Sequence, residues 1–166
     1  MVEAEKKIDE NLYSRQIGAF GMKAMGRLIK MRVLIVGMRG LGVETAKNLI
    51  LAGPASVHIY DNEVTTPSDL SSNFFLTEEH VKNKTSRGQA CEKMLQELNT
   101  YVKVNVITSL DGINDNYDCV VFTENQQGFS DLCVVNNGLR AQGKGFIMAE
   151  TLGAAGYCFV DFGDNH

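Results

Sequence analysis

The residues whose types and spacing could do chemistry are concentrated between positions 32 and 61. The run Arg32-Val33-Leu34-Ile35-Val36 is short, apolar and β-branched, and it flows into Gly37-Met38-Arg39-Gly40-Leu41-Gly42. Val43-Glu44-Thr45-Ala46-Lys47-Asn48-Leu49-Ile50 then reads as a helix. A strand, a glycine turn and a helix in that order form an anion site, because free backbone amides and the positive end of the helix face the ligand. In the G-x-G-x-x-G form of the turn the first glycine makes the bend and the third lets helix pack on strand. The second lets the backbone approach a pyrophosphate. Gly37 and Gly42 hold the first and third places and Gly40 lies between them, but Arg39 holds the second. Asp61 follows 19 residues after Gly42 at the end of the next strand, where an acidic residue accepts hydrogen bonds from ribose hydroxyls. The set reads as a nucleotide site by descent with a side chain placed where phosphate would lie. Two bland alternatives stand beside it: Asp61 as an ordinary strand-end turn residue, and Arg39 as a phosphate contact in its own right.

The elements that must position these residues alternate. Leu12 to Lys30 is helix-prone, with Ile17, Phe20, Met25, Leu28 and Ile29 available for an apolar face, and Gly18, Gly21 and Gly26 predict a kinked or broken helix. Strand one spans 33–36, the first crossover helix about 41–51, and Gly53-Pro54 stops it before a strand over 56–60. Residues 62–84 read as a long connection with short turns. A helix follows over about 85–98, with Met94, Leu95 and Leu98 on one face, and then a strand over 102–107. Strands over 118–122 and 145–149 flank a helix over 130–141, and a last strand spans 156–162. Strand–helix alternation predicts an α/β fold: a Rossmann-like, mainly parallel sheet with helices on both faces. Residues 1–10 are expected as a charged tail and 11–166 as one domain. The abrupt end after the last strand suggests a fragment of a larger multidomain chain.

Bulk properties narrow the classes of partner. The net charge is −4 and the basic residues are scattered without a run, which argues against nucleic acid and anionic membrane surfaces. No stretch approaches the roughly 20 apolar residues of a membrane span, and the start of the chain lacks the apolar core of a secretory signal. Cys91, Cys119, Cys133 and Cys158 include no C-x-x-C pair, which argues against a zinc knot. Cys91 and Cys119 are expected as buried free thiols, and a reducing cytoplasmic or nuclear compartment fits. His58, His80 and His166 lie in unrelated settings with no Ser-His-acid or Cys-His arrangement, and His58 is expected as a partly buried structural histidine.

Several separated motifs carry a resemblance. Leu12-Tyr13-Ser14-Arg15-Gln16, Gly40-Leu41-Gly42, the stretch from Ala46 to Gly53, Asp69-Leu70-Ser71-Ser72-Asn73-Phe74 and Asp161-Phe162-Gly163 fall in order. Over about 12–163 the chain resembles ubiquitin-activating enzymes, and within them the N-terminal inactive adenylation half, a ThiF/MoeB-like Rossmann domain. The resemblance implies a pseudo-dimer of two related halves. One binds ATP and Mg and adenylates the C-terminus of ubiquitin or a ubiquitin-like modifier; the other supports it. No cofactor is then expected for this chain alone, and its partners are the active adenylation half and the modifier.

The departures from the active half agree with that assignment. Arg39 replaces the middle glycine. Where active halves read Asn-Leu-x-Arg-Gln-Phe, Ser72 replaces the arginine. Their magnesium-binding Thr-Asp-Asn turn is matched by Thr123-Glu124-Asn125, in which Glu124 keeps a carboxylate for a metal or is a solvated turn residue. Arg87 stands near the active-half lysine. The resemblance also implies that Arg15 reaches across the pseudo-dimer to ATP phosphates in the other half, where a guanidinium would offset charge that builds during adenylation. Without the resemblance, Arg15 reads as a surface arginine paired with Glu10. Two alternatives remain: the small subunit of a SUMO-type heterodimeric activating enzyme, and a self-sufficient nucleotide-binding enzyme, either adenylating or NAD-dependent.

Overall fold

A computed structural model describes residues 8–124 and 128–164; residues 1–7 of the tail and Asn125 of the Thr-Glu-Asn turn lie outside the described residues. The N-terminal helical stretch divides at Gly21 into α1 (Ser14–Phe20) and α2 (Met22–Leu28), as its glycines predict. Of its expected apolar face, Met25 and Ile29 are buried, while Phe20 is exposed. The chain continues through β1 (Arg32–Val36), α3 (Gly40–Ala52) and β2 (Ser56–Tyr60). The long connection carries a 3-10 turn over Asp69–Ser71 and the short α4 (Glu78–Lys82). Then come α5 (Arg87–Glu97), β3 (Lys103–Val106), a four-residue α6 (Ile113–Asn116) absent from the sequence reading, and β4 (Cys119–Phe122). The last elements are α7 (Phe129–Ala141), β5 (Gly145–Leu152) and β6 (Ala155–Asp161).

The strands form one sheet in the order β3-β2-β1-β4-β5-β6. The first five are mutually parallel and β6 closes the edge antiparallel to β5. A parallel sheet covered on both faces needs apolar residues at consecutive positions, and β1 supplies them: Val33 and Ile35 join one core, Leu34 and Val36 the other. The first core takes in Val43, Ala46 and Ile50 of α3 and Ala90, Cys91 and Leu95 of α5. The expected face of α5 is corrected accordingly: Leu95 is buried, but Met94 is exposed and the helix turns Ala90 and Cys91 inward. The second core packs Leu132 and Leu139 of α7 on Val120, Phe122, Phe146 and Met148.

From β1 the chain winds to β2 and β3 on one side, then returns to β4 and β5 on the other. The strand order therefore reverses between β1 and β4. In such sheets ligands bind outside the carboxyl ends of the strands at this switch point, which is where Gly37, Asp61 and Glu124 emerge. Among the described residues no helix is long and apolar enough to cross a membrane.

Candidate functional site at the carboxyl ends of the strands

The glycine turn is built as the spacing predicts. Gly37 has φ 97°, a left-handed backbone that side chains disfavour, and a Cβ there would lie 2.9 Å from Glu124 Cγ. A Cβ on Gly42 would lie 2.0 Å from the Gly37 carbonyl oxygen, so only glycine lets α3 approach β1 this closely. Thr123 Oγ1 donates to the carbonyls of Val36 and Gly37 at 3.1 and 3.0 Å. Asn73, fully buried, donates to the Met38 carbonyl at 2.7 Å and fixes the other side of the turn.

Arg39 sits at the N-cap of α3 with φ −73° and ψ −170°, ordinary extended backbone. Its side chain is 61% exposed, with Nε 3.5 Å from Glu124 Oε2 and 3.8 Å from Asp69 Oδ1. Its amide donates to Glu124 Oε1 at 3.2 Å. A carboxylate of this chain therefore occupies an anion position at the turn. Ser72 is exposed against Gly40, where a Cβ would lie 2.9 Å from its own Cβ, and it brings no charge to the site.

Asp61 is where the sequence puts it, at the end of β2, but its carboxylate is already engaged. Oδ1 accepts from the Glu63 amide at 3.0 Å, and Oδ2 accepts from the Met38 amide at 2.8 Å and Arg87 Nε at 2.7 Å. Asp61 and Arg87 are each only 2% exposed. Arg87 continues outward, with Nη2 3.4 Å from Glu124 Oε2 and Nη1 3.7 Å from Asp69 Oδ1. It is the first residue of α5, where the helix dipole disfavours a cation. Three surrounding carboxylates offset that placement. Burial works against the charged form of Arg87, but the hydrogen bond and charge of Asp61, with Glu124 and Asp69, raise its pKa above the usual value. Burial likewise works against ionised Asp69. The side chain and amide of Thr66, which donate to Oδ2 at 2.7 and 2.8 Å, and the two guanidiniums hold it below the usual carboxylate range.

The sequence reading missed the centre of this cluster. It noted Arg87 only as a neighbour of a family lysine and Asp69 only as part of a motif. The available signal was Ser86-Arg87-Gly88, an N-cap followed at once by a cation. The reading of Glu124 is corrected too: with its side chain 11% exposed and two guanidiniums beside it, it is no solvated turn residue. Among the described residues no group of three or more His, Cys, Asp or Glu side chains is placed to hold a metal ion.

Arg15 lies elsewhere. Tyr13, at the foot of α1, packs against Gly53 beyond the C-terminus of α3, and its hydroxyl accepts from Asn99 Nδ2 at 3.0 Å. The 13-residue α3 is about 20 Å long, which puts α1 at the end of that helix remote from the glycine turn. Arg15 is exposed there, beside Leu12, Gln16 and Tyr101 on an open cleft of about 700 Å³, and forms no ion pair with Glu10. The expected thiols are inert: burial pushes Cys91 and Cys119 up to about 11, while Cys133 and Cys158 are exposed. His58 is half-buried, as expected, with Nδ1 2.9 Å from the Tyr117 hydroxyl.

Comparison with known proteins fits this geometry. The chain is 39% identical over 160 residues to a ubiquitin-activating enzyme of Candida albicans, covering 96% of this chain and 15% of that protein. It is 42% identical over 177 residues to ubiquitin-like modifier-activating enzyme 6 of Homo sapiens, covering 99% of this chain and 16% of that one. The chain thus spans about 15% of the length of these relatives. The crystal structure of Escherichia coli MccB with succinimide superimposes with a TM-score of 0.78 at 17% identity, over 93% of this chain and 50% of that one, which bears out the fold. The sequence pattern of the ThiF family matches residues 13–160, and with the strand–glycine turn–helix unit in place this chain belongs to the ThiF family.

Proposed function

We propose that this chain is the non-catalytic adenylation half of a ubiquitin-activating enzyme. One observation carries the reading: Asp61, the ribose acceptor of such a fold, has both oxygens committed inside the protein, one of them to a buried guanidinium. A nucleotide would have to displace a charge-assisted hydrogen bond and leave Arg87 buried among groups it no longer satisfies. The carboxylate of Glu124, which could have served a metal, is paired with Arg87 and Arg39, so ATP and Mg do not fit this chain's own groups. Both would be bound mainly by an active half, in the same chain or a partner chain, which adenylates ubiquitin or a ubiquitin-like modifier in the cytoplasm or nucleus. The likeness of the chain to activating enzymes supports that context.

In this reading Arg15 is the residue that touches chemistry. At the end of α3 remote from its own glycine turn and free of a pairing carboxylate at Glu10, it is available to a neighbouring domain. Its guanidinium would stabilise charge on the α-phosphate and the departing pyrophosphate.

Calorimetric titration of the chain with Mg·ATP, with NAD in parallel, tests the reading. No heat from either ligand is expected; micromolar ATP binding would make it a self-sufficient adenylating enzyme. In the complete enzyme Arg15→Ala is expected to slow ATP–pyrophosphate exchange roughly a hundredfold, and unchanged exchange would remove the arginine from the mechanism.

A further inference from the structure

We propose that Arg87, rather than Arg39, is the residue that closes this site to nucleotides. The inference rests on the reading of the chain as a non-catalytic half, and it names the group responsible.

The site has three places that a nucleotide and its metal would use, and Arg87 reaches all three. Nε occupies Asp61, the ribose acceptor, at 2.7 Å. Nη2 lies 3.4 Å from Glu124 Oε2, the carboxylate in the metal position. The other oxygen of Glu124 takes the amide of residue 39 at 3.2 Å, so by holding Glu124 the guanidinium also keeps a carboxylate over the pyrophosphate turn. Nη1, 3.7 Å from Asp69, ties in the loop that follows β2. Arg87 is 2% exposed and cannot leave without unpacking the start of α5.

Arg39 also reaches Glu124 and Asp69, but it is not buried and among the described residues makes no ion pair with Asp61. Its backbone is ordinary, its side chain is 61% exposed, and its two ion pairs are 3.5 and 3.8 Å long. A long side chain so placed can swing aside. Replacing it with glycine restores the glycine spacing of the turn but leaves Asp61 and Glu124 held. Removing the Arg87 guanidinium takes the cation from Asp61, leaving it only the backbone amides of Met38 and Glu63, whereas Glu124 is still held by Arg39.

Charge decides which ligand should report the change. Three carboxylates face two guanidiniums, so the cluster is net negative, and losing Arg87 makes it more so. A triphosphate would be repelled for reasons unrelated to Asp61. Adenosine carries the ribose hydroxyls without the phosphates and reports the carboxylate alone.

The experiment measures adenosine binding, by calorimetry and ligand-observed NMR, to four proteins: the unaltered chain, Arg39→Gly, Arg87→Lys and Arg87→Gln. Lysine keeps the cation but loses the fork; glutamine keeps a donor for Asp61 but loses the charge. Arg87→Gln is expected to bind adenosine roughly ten- to a hundredfold more tightly than the unaltered chain, the worth of hydrogen bonds to one carboxylate. Arg87→Lys should gain less, and Arg39→Gly should match the unaltered chain. A gain in Arg39→Gly without one in Arg87→Gln overturns the proposal, as does no gain in any variant whose circular dichroism matches the parent. If Arg87→Gln does not fold, Arg87→Lys decides. If that fails to fold too, the guanidinium is indispensable structure rather than a removable occupant and the proposal falls. Mg·ATP binding by the unaltered chain would instead defeat the non-catalytic reading, so the two failures are distinct.

Discussion

The carboxyl ends of β1, β2 and β4 and the β5–β6 hairpin invert what each region's chemistry would suggest. The first is a polar crevice at a topological switch point, a place where such folds hold a ligand, and here it is shut. Arg87 and Asp61 are 2% exposed, and Asp69 and Glu124 complete the closure from within the chain. The second is an apolar edge, and it is open. Tyr157, Phe159 and Val160 of β6 are about half exposed; Tyr157 and Phe159 line a cavity of about 250 Å³ bounded by Leu132 and Cys133 of α7 and by Phe146 and Met148, and Val160 lies on the opposite face of the strand. Charges close on one another when their partners are present in the same chain. An apolar face of this kind stays open only until something covers it, and it marks an association surface.

The sharpest way to break that comparison is Arg87→Met. It keeps the volume but leaves Asp61 buried without its cation, a loss of about 3–5 kcal/mol for a broken buried pair. The melting temperature should drop by roughly 10 °C. Adding Asp61→Asn removes the stranded charge and should recover part of the loss, since the amide oxygen can still accept from one of the two backbone amides that face it. Thermal melts of the two variants decide it: equal stability of the single and double variants would mean the pair contributes nothing specific.

Phe159→Ser with Val160→Thr tests the open region. The parent is expected to self-associate at high concentration and the double variant to do so much less, with the melting temperature little changed because both side chains are about half exposed. Light scattering up to millimolar concentration reads the difference. A parent that stays strictly monomeric over that range removes the hairpin as a sticky face.

The closed region was half legible in the sequence, and the division has a physical cause. Short-range signals survived intact: the β-branched run, the glycine turn and the αL stop at Gly53 each act through local backbone sterics, and β2 has the bounds its pattern predicted. Asp61 was placed correctly because its position follows from a turn and a strand. What it touches was not legible, because Arg87 and Asp61 are 26 residues apart and meet only when α5 packs on the sheet. Arg39 stands out as a visible departure from a pattern, whereas Arg87 is marked in the sequence only by its place near a family lysine, which says nothing of Asp61. The open region was less legible still: the alternation in β6 says that a strand forms, but not whether either face is covered.

The smallest expected effect is in acid, where the comparison becomes a pH profile with two steps. Burial, helped by Lys103 and Arg32, holds His58 below its ordinary value of 6.5. Its ring sits between the Tyr117 hydroxyl, 2.9 Å from Nδ1, and the Asn105 amide, 3.4 Å from Nε2, and the amide can only donate. Because the fold lowers its pKa, the unfolded chain binds the proton first as pH falls. Stability should be flat above about 6.5 and decline below it. Asp69 titrates lower with the same sign: hydrogen bonds from Thr66 and the charges of Arg87 and Arg39 outweigh burial and hold it below 3.8. Its contribution is complete above that value and is lost as pH falls through the folded pKa. His58→Gln should flatten the upper decline and leave the lower one, whereas Arg87→Met should shrink the lower one and leave the upper. Urea melts between pH 8 and 3 separate the two. If Arg87→Met alters the upper step, or His58→Gln the lower, the two sides of the sheet do not titrate independently, and the closed site extends further into the molecule than its ion pairs indicate.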